Sequence, residues 1–282
     1  MESETRVLNI LPETFPKRIA ICADDFGMAA GIDEGILALA RLGRLSAVSC
    51  LTPGSALRQH SAALAQLPVD IGLHLNFTES LGADQFHLPL ARLIAACYAR
   101  RLPPLLVASS IRTQFDAFEA NFGCPPAFID GHQHVHQLPV IRELLLESIG
   151  QRYPGQVIWL RSTQTVRNSS VARADALKAR LIARLGARAM RRLTTAAGWP
   201  MNRHLLGVYR FSASCEEYRN LLQAWLADAD NGDLLMCHPA LSSPVGDPIG
   251  RQRTREFAVL SDDRFPTWID ANGLTVSRLL SV

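Results

Sequence analysis

The chain has 282 residues, of which 48% are hydrophobic and 20% charged, a composition that supports a folded core and excludes disordered and low-complexity classes. A formal net charge of only +3 and an aromatic content of 7% argue against a nucleic-acid-binding protein. No run approaches about 18 consecutive apolar residues, so no transmembrane helix is predicted, and the acidic start of the sequence is unlike a signal peptide.

From residue 17 onward, short apolar runs alternate with segments whose apolar residues recur at helical spacing. Residues 1–16 are predicted to be a loosely held tail. In the first third of the chain the predicted strands are 18–23, 45–51 and 70–77, and the predicted helices are 28–42 and 55–67.

The same alternation continues after an insertion at about 78–126, which carries helical patterns around 89–101 and 108–122. The later predicted strands are 127–130, 157–161, 208–211, 233–237 and 274–279, with helices at 139–149 and 216–229. A second insertion at about 162–206 carries a basic helix.

Strands that are continuously apolar and separated by helices indicate a parallel sheet covered on both faces. Seven or eight such units predict an α/β fold, a single-domain (β/α) barrel over 17–282 that is distorted and carries helical insertions.

The polar residues that stand out follow the predicted strands, where the carboxyl ends of parallel strands converge on one face. We therefore expect one site built from several separate segments. Its candidate residues are Asp24, Asp25, His74, Asp130, His132, His134, His136, Arg161 and His238.

Each candidate also has an ordinary structural interpretation. Asp24 and Asp25 can form a turn and cap a helix, and His74 inside an apolar strand can be a hydrogen-bonded core residue. Arg161 can form a surface salt bridge, and His238 can close a strand end.

The run DGHQHVH places histidines at every second position, so His132, His134 and His136 would share one face if the segment were extended. The alternative is a solvated histidine-rich loop. One aspartate and two histidines suit a catalytic divalent metal with open positions, because closed structural zinc sites use four ligands, usually including thiolates. Asp130 would orient a ligand or form a turn.

The motifs ADDFG, GLHLN, DGHQHVH and MCHP, in this order, resemble the YdjC-like family of carbohydrate deacetylases. The resemblance implies a distorted (β/α) barrel and one divalent metal ion, Mg²⁺ or Zn²⁺, that helps to remove the acetyl group from N-acetylated amino sugars. It implies Asp25, His74 and His132 as metal ligands, Asp24 as the catalytic base and His238 as the candidate acid.

Arg161 would orient Asp24 or stabilise the oxyanion. Asp130, His134, His136 and Asn76 would support the site or contact substrate. Two functional alternatives stay open: another metal-dependent hydrolase such as a phosphoesterase, and a non-catalytic sugar-binding protein.

The basic helix at about 170–195 carries arginines at three-, four- and seven-residue steps beside a row of leucines. It is either an amphipathic helix with a solvated basic face or a surface for an anionic partner. That partner would be a phosphorylated or nucleotide-linked sugar, an anionic lipid or a lipid-linked substrate. Six scattered cysteines without a C-x-x-C pair predict reduced thiols and a cytoplasmic location. A homodimer is also left open.

Overall fold

The computed structural model describes residues 16–52, 54–81, 85–166 and 170–280. The predicted tail, apart from residue 16, lies outside the described residues. Eight strands form one parallel sheet: β1 Lys17–Phe26, β2 Ala47–Cys50, β3 Asp70–Leu75, β4 Phe128–Gly131, β5 Trp159–Leu160, β6 Leu205–Leu206, β7 Leu234–Cys237 and β8 Leu274–Val276.

The strand order is β5-β4-β3-β2-β1-β7-β6, and β8 pairs with the first residues of β1. The two edges of this path approach each other, because Leu160 in β5 bridges to Met201 and the backbone N–H of Leu205 donates to Gln164 O at 2.7 Å. The sheet is thus curled into an incompletely closed barrel, which confirms the predicted distorted (β/α) fold.

Both faces of the sheet are buried, as the unbroken apolar runs predict. Along β1, Ile19 and Ile21 pack into the main core beneath the helices, whereas Ala20 and Cys22 belong to a second cluster on the opposite face. That second cluster includes the rings of Phe128 and Trp159, which stack at 4.0 Å between centroids.

The described helices surround this sheet: α1 Ala30–Arg41, α2 Ser55–Leu64, α3 Leu90–Tyr98, α4 Pro104–Phe122, α5 Ile141–Arg152, α6 Arg173–Arg184, α7 Ala187–Ala196, α8 Cys215–Asp228, α9 Gly250–Leu260 and α10 Phe265–Ala271. Helices α3 and α4 are the two expected in the first insertion. None of the described helices is both long and apolar enough to cross a membrane.

Two predicted elements need correction, and two helices were missed. The sixth strand is Leu205–Leu206, not 208–211, because Gly207 adopts φ +89° and ends it. The basic segment forms two helices, which meet at Gly186, where a Cβ atom would lie 2.2 Å from Gln137 O. Helices α9 and α10 were not predicted.

The histidine run is not extended, so its three histidines do not share one face. Residues His132–Gln137 form a short 3₁₀ segment in which Gln133 and His134 have positive φ values of 52° and 61°. The left-handed pair turns the chain sharply, and successive histidines therefore point into different surroundings.

Candidate active site

The site lies at the carboxyl ends of β1, β3 and β4, as the parallel topology predicts. Register pairs His74 in β3 directly with Asp130 in β4, and Asp24 and Asp25 lie near the end of β1. Asp25 has φ +71°, and the β1–β2 register shifts between Ala23 and Phe26. The end of β1 is therefore irregular at Asp25, whose backbone is left-handed.

Asp25 is the centre of one buried cluster. Its Oδ1 lies 2.8 Å from His132 Nδ1 and 3.4 Å from His74 Nε2, and its Oδ2 accepts a hydrogen bond from Arg253 at 2.8 Å. Burial raises the pKa of Asp25, but the charges of Arg253 and His132 outweigh burial and bring the pKa well below its usual range. The carboxylate is therefore ionised.

His74 is held from its far side. Its Nδ1 lies 2.6 Å from Asp130 Oδ1 and 2.9 Å from Ser49 Oγ, so Nε2 points toward Asp25. Burial lowers the pKa of His74, but the charges of Asp130 and Asp24 outweigh it and raise the pKa to about 10. The centre of the site therefore favours positive charge.

The donors fit a divalent cation. One oxygen of Asp25 and one nitrogen each of His74 and His132 lie within 4.8 Å of one another. Asp130 accepts from the outer nitrogen of His74, the arrangement by which proteins fix the tautomer of a metal-binding histidine. A carboxylate and two imidazoles leave coordination positions for water and substrate, as catalytic sites require.

A second group, Cys22, Asp24 and Asp130, also has its donor atoms close together, but it already contains a cation. Arg161 is buried between the two carboxylates. Its Nη1 and Nη2 each lie 2.6 Å from an oxygen of Asp24, and Nη2 also lies 2.5 Å from Asp130 Oδ2. Nη2 also lies 3.0 Å from Cys22 Sγ. Arg161 is therefore placed to orient the Asp24 carboxylate. Because its side chain is fully buried, it does not form a surface salt bridge.

His238 follows β7 and faces Asp24, with Nε2 at 3.9 Å from Asp24 Oδ2. Its backbone N–H donates to Glu256 Oε2 at 2.6 Å, and its ring meets Phe211 edge-on at 5.1 Å between centroids. Burial lowers the pKa of His238 to about 4. The imidazole is therefore neutral at rest, whereas an exposed histidine has a pKa near 6.5.

The remaining histidines of the run have separate positions. His136 is fully buried and its Nε2 lies 3.0 Å from Arg161 O, so it supports the strand end that carries the arginine. His134 borders the cavity above the site, and burial lowers its pKa well below the usual range. Only His132 of the three reaches Asp25.

Asn76 is buried in the loop after β3, where its amide is used for local structure. Its Oδ1 accepts from the backbone N–H groups of Thr78 and Glu79, and its Nδ2 donates to Glu79 O at 2.8 Å. Glu79 Oε1 in turn lies 3.6 Å from His132 Nε2. Asn76 thus positions a carboxylate at the edge of the site.

Sequence reasoning missed Arg253, Glu256, Ser49 and Glu79. Arg253 and Glu256 lie three residues apart on α9, a helix whose polar sequence resembles many surface helices. Arg253 is nevertheless 2% exposed, and its Nε donates to Asp247 at 2.7 Å while its Nη2 binds Asp25. A buried arginine at this place had no local sequence signal.

A cavity of about 960 Å³ opens above these residues. Asp24, Asp25, His74, His132 and His238 form its polar end. The rest of its wall comes from α3, α6, the loop after β7 and the 3₁₀ segment.

Residues 18–271 match the family described as YdjC-like protein. The chain is 27% identical to a carbohydrate deacetylase of Mus musculus over 94% of this chain and 95% of the relative. It is 30% identical to a chitooligosaccharide deacetylase of Enterobacter sp. (strain 638), over 46% of this chain and 55% of the relative.

The fold is shared with solved structures. A protein of Enterococcus faecalis V583 named for cellobiose-phosphate cleavage superposes with a TM-score of 0.68 at 18% identity, covering 94% of this chain and 98% of its own. The catalytic domain of a peptidoglycan N-acetylglucosamine deacetylase from Eubacterium rectale reaches 0.50 at 11% identity, covering 95% and 91%. With the matched family spanning β1 to α10, the chain belongs to the YdjC-like family.

Proposed function

We propose that this chain is a carbohydrate N-deacetylase that hydrolyses the acetamide of an N-acetylated amino sugar. The single observation that carries this proposal is the pairing of two adjacent buried acids with different partners. Asp25 faces His74 and His132, whereas Asp24 faces Arg161 and His238. One acid can thus bind a cation while the other handles protons.

Asp25, His74 and His132 would hold the cation, Mg²⁺ or Zn²⁺. Four carboxylates face two arginines in this region, namely Asp24, Asp25, Asp130 and Asp247 with Arg161 and Arg253. The raised pKa values of His74 and His132 indicate that the site takes up further positive charge, which a divalent cation would supply in place of their protons. When bound, a divalent cation polarises the acetyl carbonyl and strengthens water as a nucleophile.

Asp24 would accept the proton of the attacking water while that water's oxygen bonds to the acetyl carbon. Arg161 keeps both Asp24 oxygens in place through a bidentate contact. Because His238 is neutral at rest, it would receive this proton from Asp24 and deliver it to the amine as the C–N bond breaks. Their 3.9 Å separation would shorten in the substrate complex. The products are acetate and the free amine.

The test is acetate release from a panel of N-acetylated amino sugars, including chito-oligosaccharides, nucleotide-linked and lipid-linked forms. Asp24→Asn should lower kcat by at least about 100-fold, and chelation should abolish activity until Mg²⁺ or Zn²⁺ is restored. The matched control is Asp116→Asn, an exposed acid paired with Arg152. Release of phosphate from phosphoesters without acetate from any sugar would overturn the proposal in favour of a phosphoesterase. Binding without either product would favour a sugar-binding protein.

Three narrower proposals concern the location of the enzyme, its contact with lipid and its oligomeric state. All six cysteines are unpaired, which supports a cytoplasmic location.

The basic face of α6 and α7 supports peripheral contact with anionic lipid. Sedimentation with vesicles at low salt would reveal this contact, and failure to bind either anionic or neutral vesicles would contradict it. A homodimer remains a prediction for light scattering to test.

A further inference from the structure

Beyond its polar end, the cavity is lined mainly by aliphatic side chains. They come from three places: Leu90 and Ile94 of α3, Leu181, Ile182 and Leu185 on or next to α6, and Val245 and Ile249 in the loop after β7. Phe211 is the sole Phe, Tyr or Trp among the described lining residues.

Helix α6 contributes an apolar stripe to the cavity wall, in which Ile182 and Leu185 are partly buried against the core and Leu181 is exposed. Asp175 is the only buried residue of its twelve. Lys178, Leu181, Ile182 and Leu185 follow a three-, four- and seven-residue spacing that puts them on one face, and all four line the cavity. Leu181 is 58% exposed beside the cavity.

Lys178 lies on this stripe, between the leucines and the polar end. Its Nζ donates to Tyr209 O at 2.5 Å and lies 4.6 Å from the centre of the Phe211 ring, which itself contacts His238. No carboxylate lies within ion-pair distance of Lys178 in the part of the chain that the structure describes. The nearby Asp175 is paired with Arg210 at 3.3 Å.

From these observations we propose that the substrate is an amphiphile, an N-acetylated amino sugar joined through a phosphate to an alkyl chain. The sugar occupies the polar end, the phosphate binds Lys178, and the chain lies against Leu181, Ile182 and Leu185. An ammonium group without a carboxylate partner favours an anionic ligand, and an aliphatic cavity wall favours an alkyl chain. This inference rests on the proposed deacetylase function and specifies its substrate class.

Four substrates separate the effect of the phosphate from the effect of the alkyl chain. They are N-acetylglucosamine in its free form, as the 1-phosphate, as the octyl glycoside and as the octyl phosphodiester, each assayed for acetate as dissolved monomers. The octyl chain should raise kcat/KM by at least about tenfold and the phosphate by about fivefold, with the phosphodiester highest. Equal kcat/KM for all four overturns the inference while leaving the deacetylase function intact.

Matched variants test which residue causes each increase in kcat/KM. Leu181→Ser should remove most of the octyl gain and leave the phosphate gain, whereas Lys178→Gln should do the reverse. The controls are Leu177→Ser, which changes a leucine of α6 that is 63% exposed and outside the cavity lining, and Arg192→Gln on α7. If the controls reduce the gains as strongly as the cavity variants, the assignment is wrong.

Binding of octyl phosphate keeps the inference testable even if no sugar is hydrolysed. Calorimetric titration should show binding that weakens at least about fivefold in Leu181→Ser and in Lys178→Gln. Absence of acetate from all substrates would then overturn the proposed function alone. Absence of octyl phosphate binding would overturn the amphiphile subsite.

Discussion

At the scale of single residues, Arg161 links the two parts of the site. Its guanidinium binds Asp24 through two parallel contacts and also reaches Asp130, the acid that orients His74. A planar fork is needed for these contacts, and a lysine ammonium cannot reproduce them. The arginine thus connects Asp24, the proposed catalytic base, with the proposed metal ligands.

Replacing Arg161 by lysine should therefore damage both activity and folding. We expect kcat to fall by about 100-fold and the free energy of unfolding to drop by about 3 kcal/mol, because a buried pair loses its geometry. Enzyme assay and urea unfolding measure the two effects. The control is Arg152→Lys, which alters a bidentate contact with Glu119 between α4 and α5, away from the site. Full activity of the Arg161 variant would refute the role given to it.

Sequence reasoning located the residues that follow strands, because parallel topology brings strand ends together. It placed Asp24, Asp25 and His74 at one site. It could not place Arg253 or Glu256, because both lie on α9, and the sequence of a helix that follows β7 does not show which of its polar side chains point toward the site. The depressed pKa of His238 was equally inaccessible, because it depends on burial by distant segments.

At the scale of elements, α1 packs against the segment that follows His238. A Cβ atom on Gly35 of α1 would lie 2.7 Å from Leu241 N and 2.8 Å from Ala240 Cα. Backbone atoms cannot yield as a flexible side chain can. The glycine therefore sets the distance between α1 and the chain carrying the candidate acid.

Gly35→Ala should push residues 240–241 outward and shift His238. We expect a loss of about 1–3 kcal/mol in the free energy of unfolding, together with reduced kcat, measured by urea unfolding and acetate release. Gly150→Ala in α5 is the matched control, because its Cβ would meet Trp199 at an ordinary 3.8 Å. That change should stabilise the helix by about 0.5–1 kcal/mol. If Gly35→Ala leaves both the free energy of unfolding and kcat unchanged, the contact between Gly35 and residues 240–241 does not fix the position of His238.

Helices and strands were predicted correctly where the spacing of apolar residues indicated them. The prediction failed where local backbone conformation determined the structure. The run from His132 to His136 alternates as a strand does, yet the left-handed Gln133 and His134 turn it. Neither residue is a glycine, so the pattern held no warning. The split of the basic helix at Gly186 did have a signal, the glycine itself.

At the scale of the whole molecule, the stability of the fold depends on pH through its buried charges. Burial raises the pKa of Glu256 to about 7, although it accepts hydrogen bonds from His238 N and the Tyr209 hydroxyl. The unfolded chain releases this proton near 4.5. The folded chain holds it to higher pH, so the free energy of unfolding falls as pH rises between these values.

Glu256→Gln should remove this pH dependence. Relative to the unchanged chain, the variant should gain about 2–3 kcal/mol of unfolding free energy between pH 5 and pH 8, because the amide does not ionise. Urea unfolding of both proteins across that range measures the difference, which cancels the contributions of other titrating groups. A difference that stays constant with pH would contradict the raised pKa.

The architecture as a whole was the most predictable level, since alternating apolar strands and helices leave few arrangements other than a parallel sheet wrapped by helices. Its incomplete closure was only partly foreseeable. The two-residue strand β6 is too short to leave a periodic signal, and the bridge from Leu160 of β5 to Met201, which precedes β6, depends on tertiary contact.

The position of β1 in the sheet has a consequence for the order of events at the ribosome. This strand is flanked by β2 on one side and β7 on the other. Its second neighbour is synthesised more than 200 residues later, and so is Arg253, which binds Asp25. An emerging polypeptide thus carries one side of β1 uncovered through most of translation. The first of the described strands to be made is thus among the last to be enclosed, and the site is complete only after His238 and Arg253 have been added.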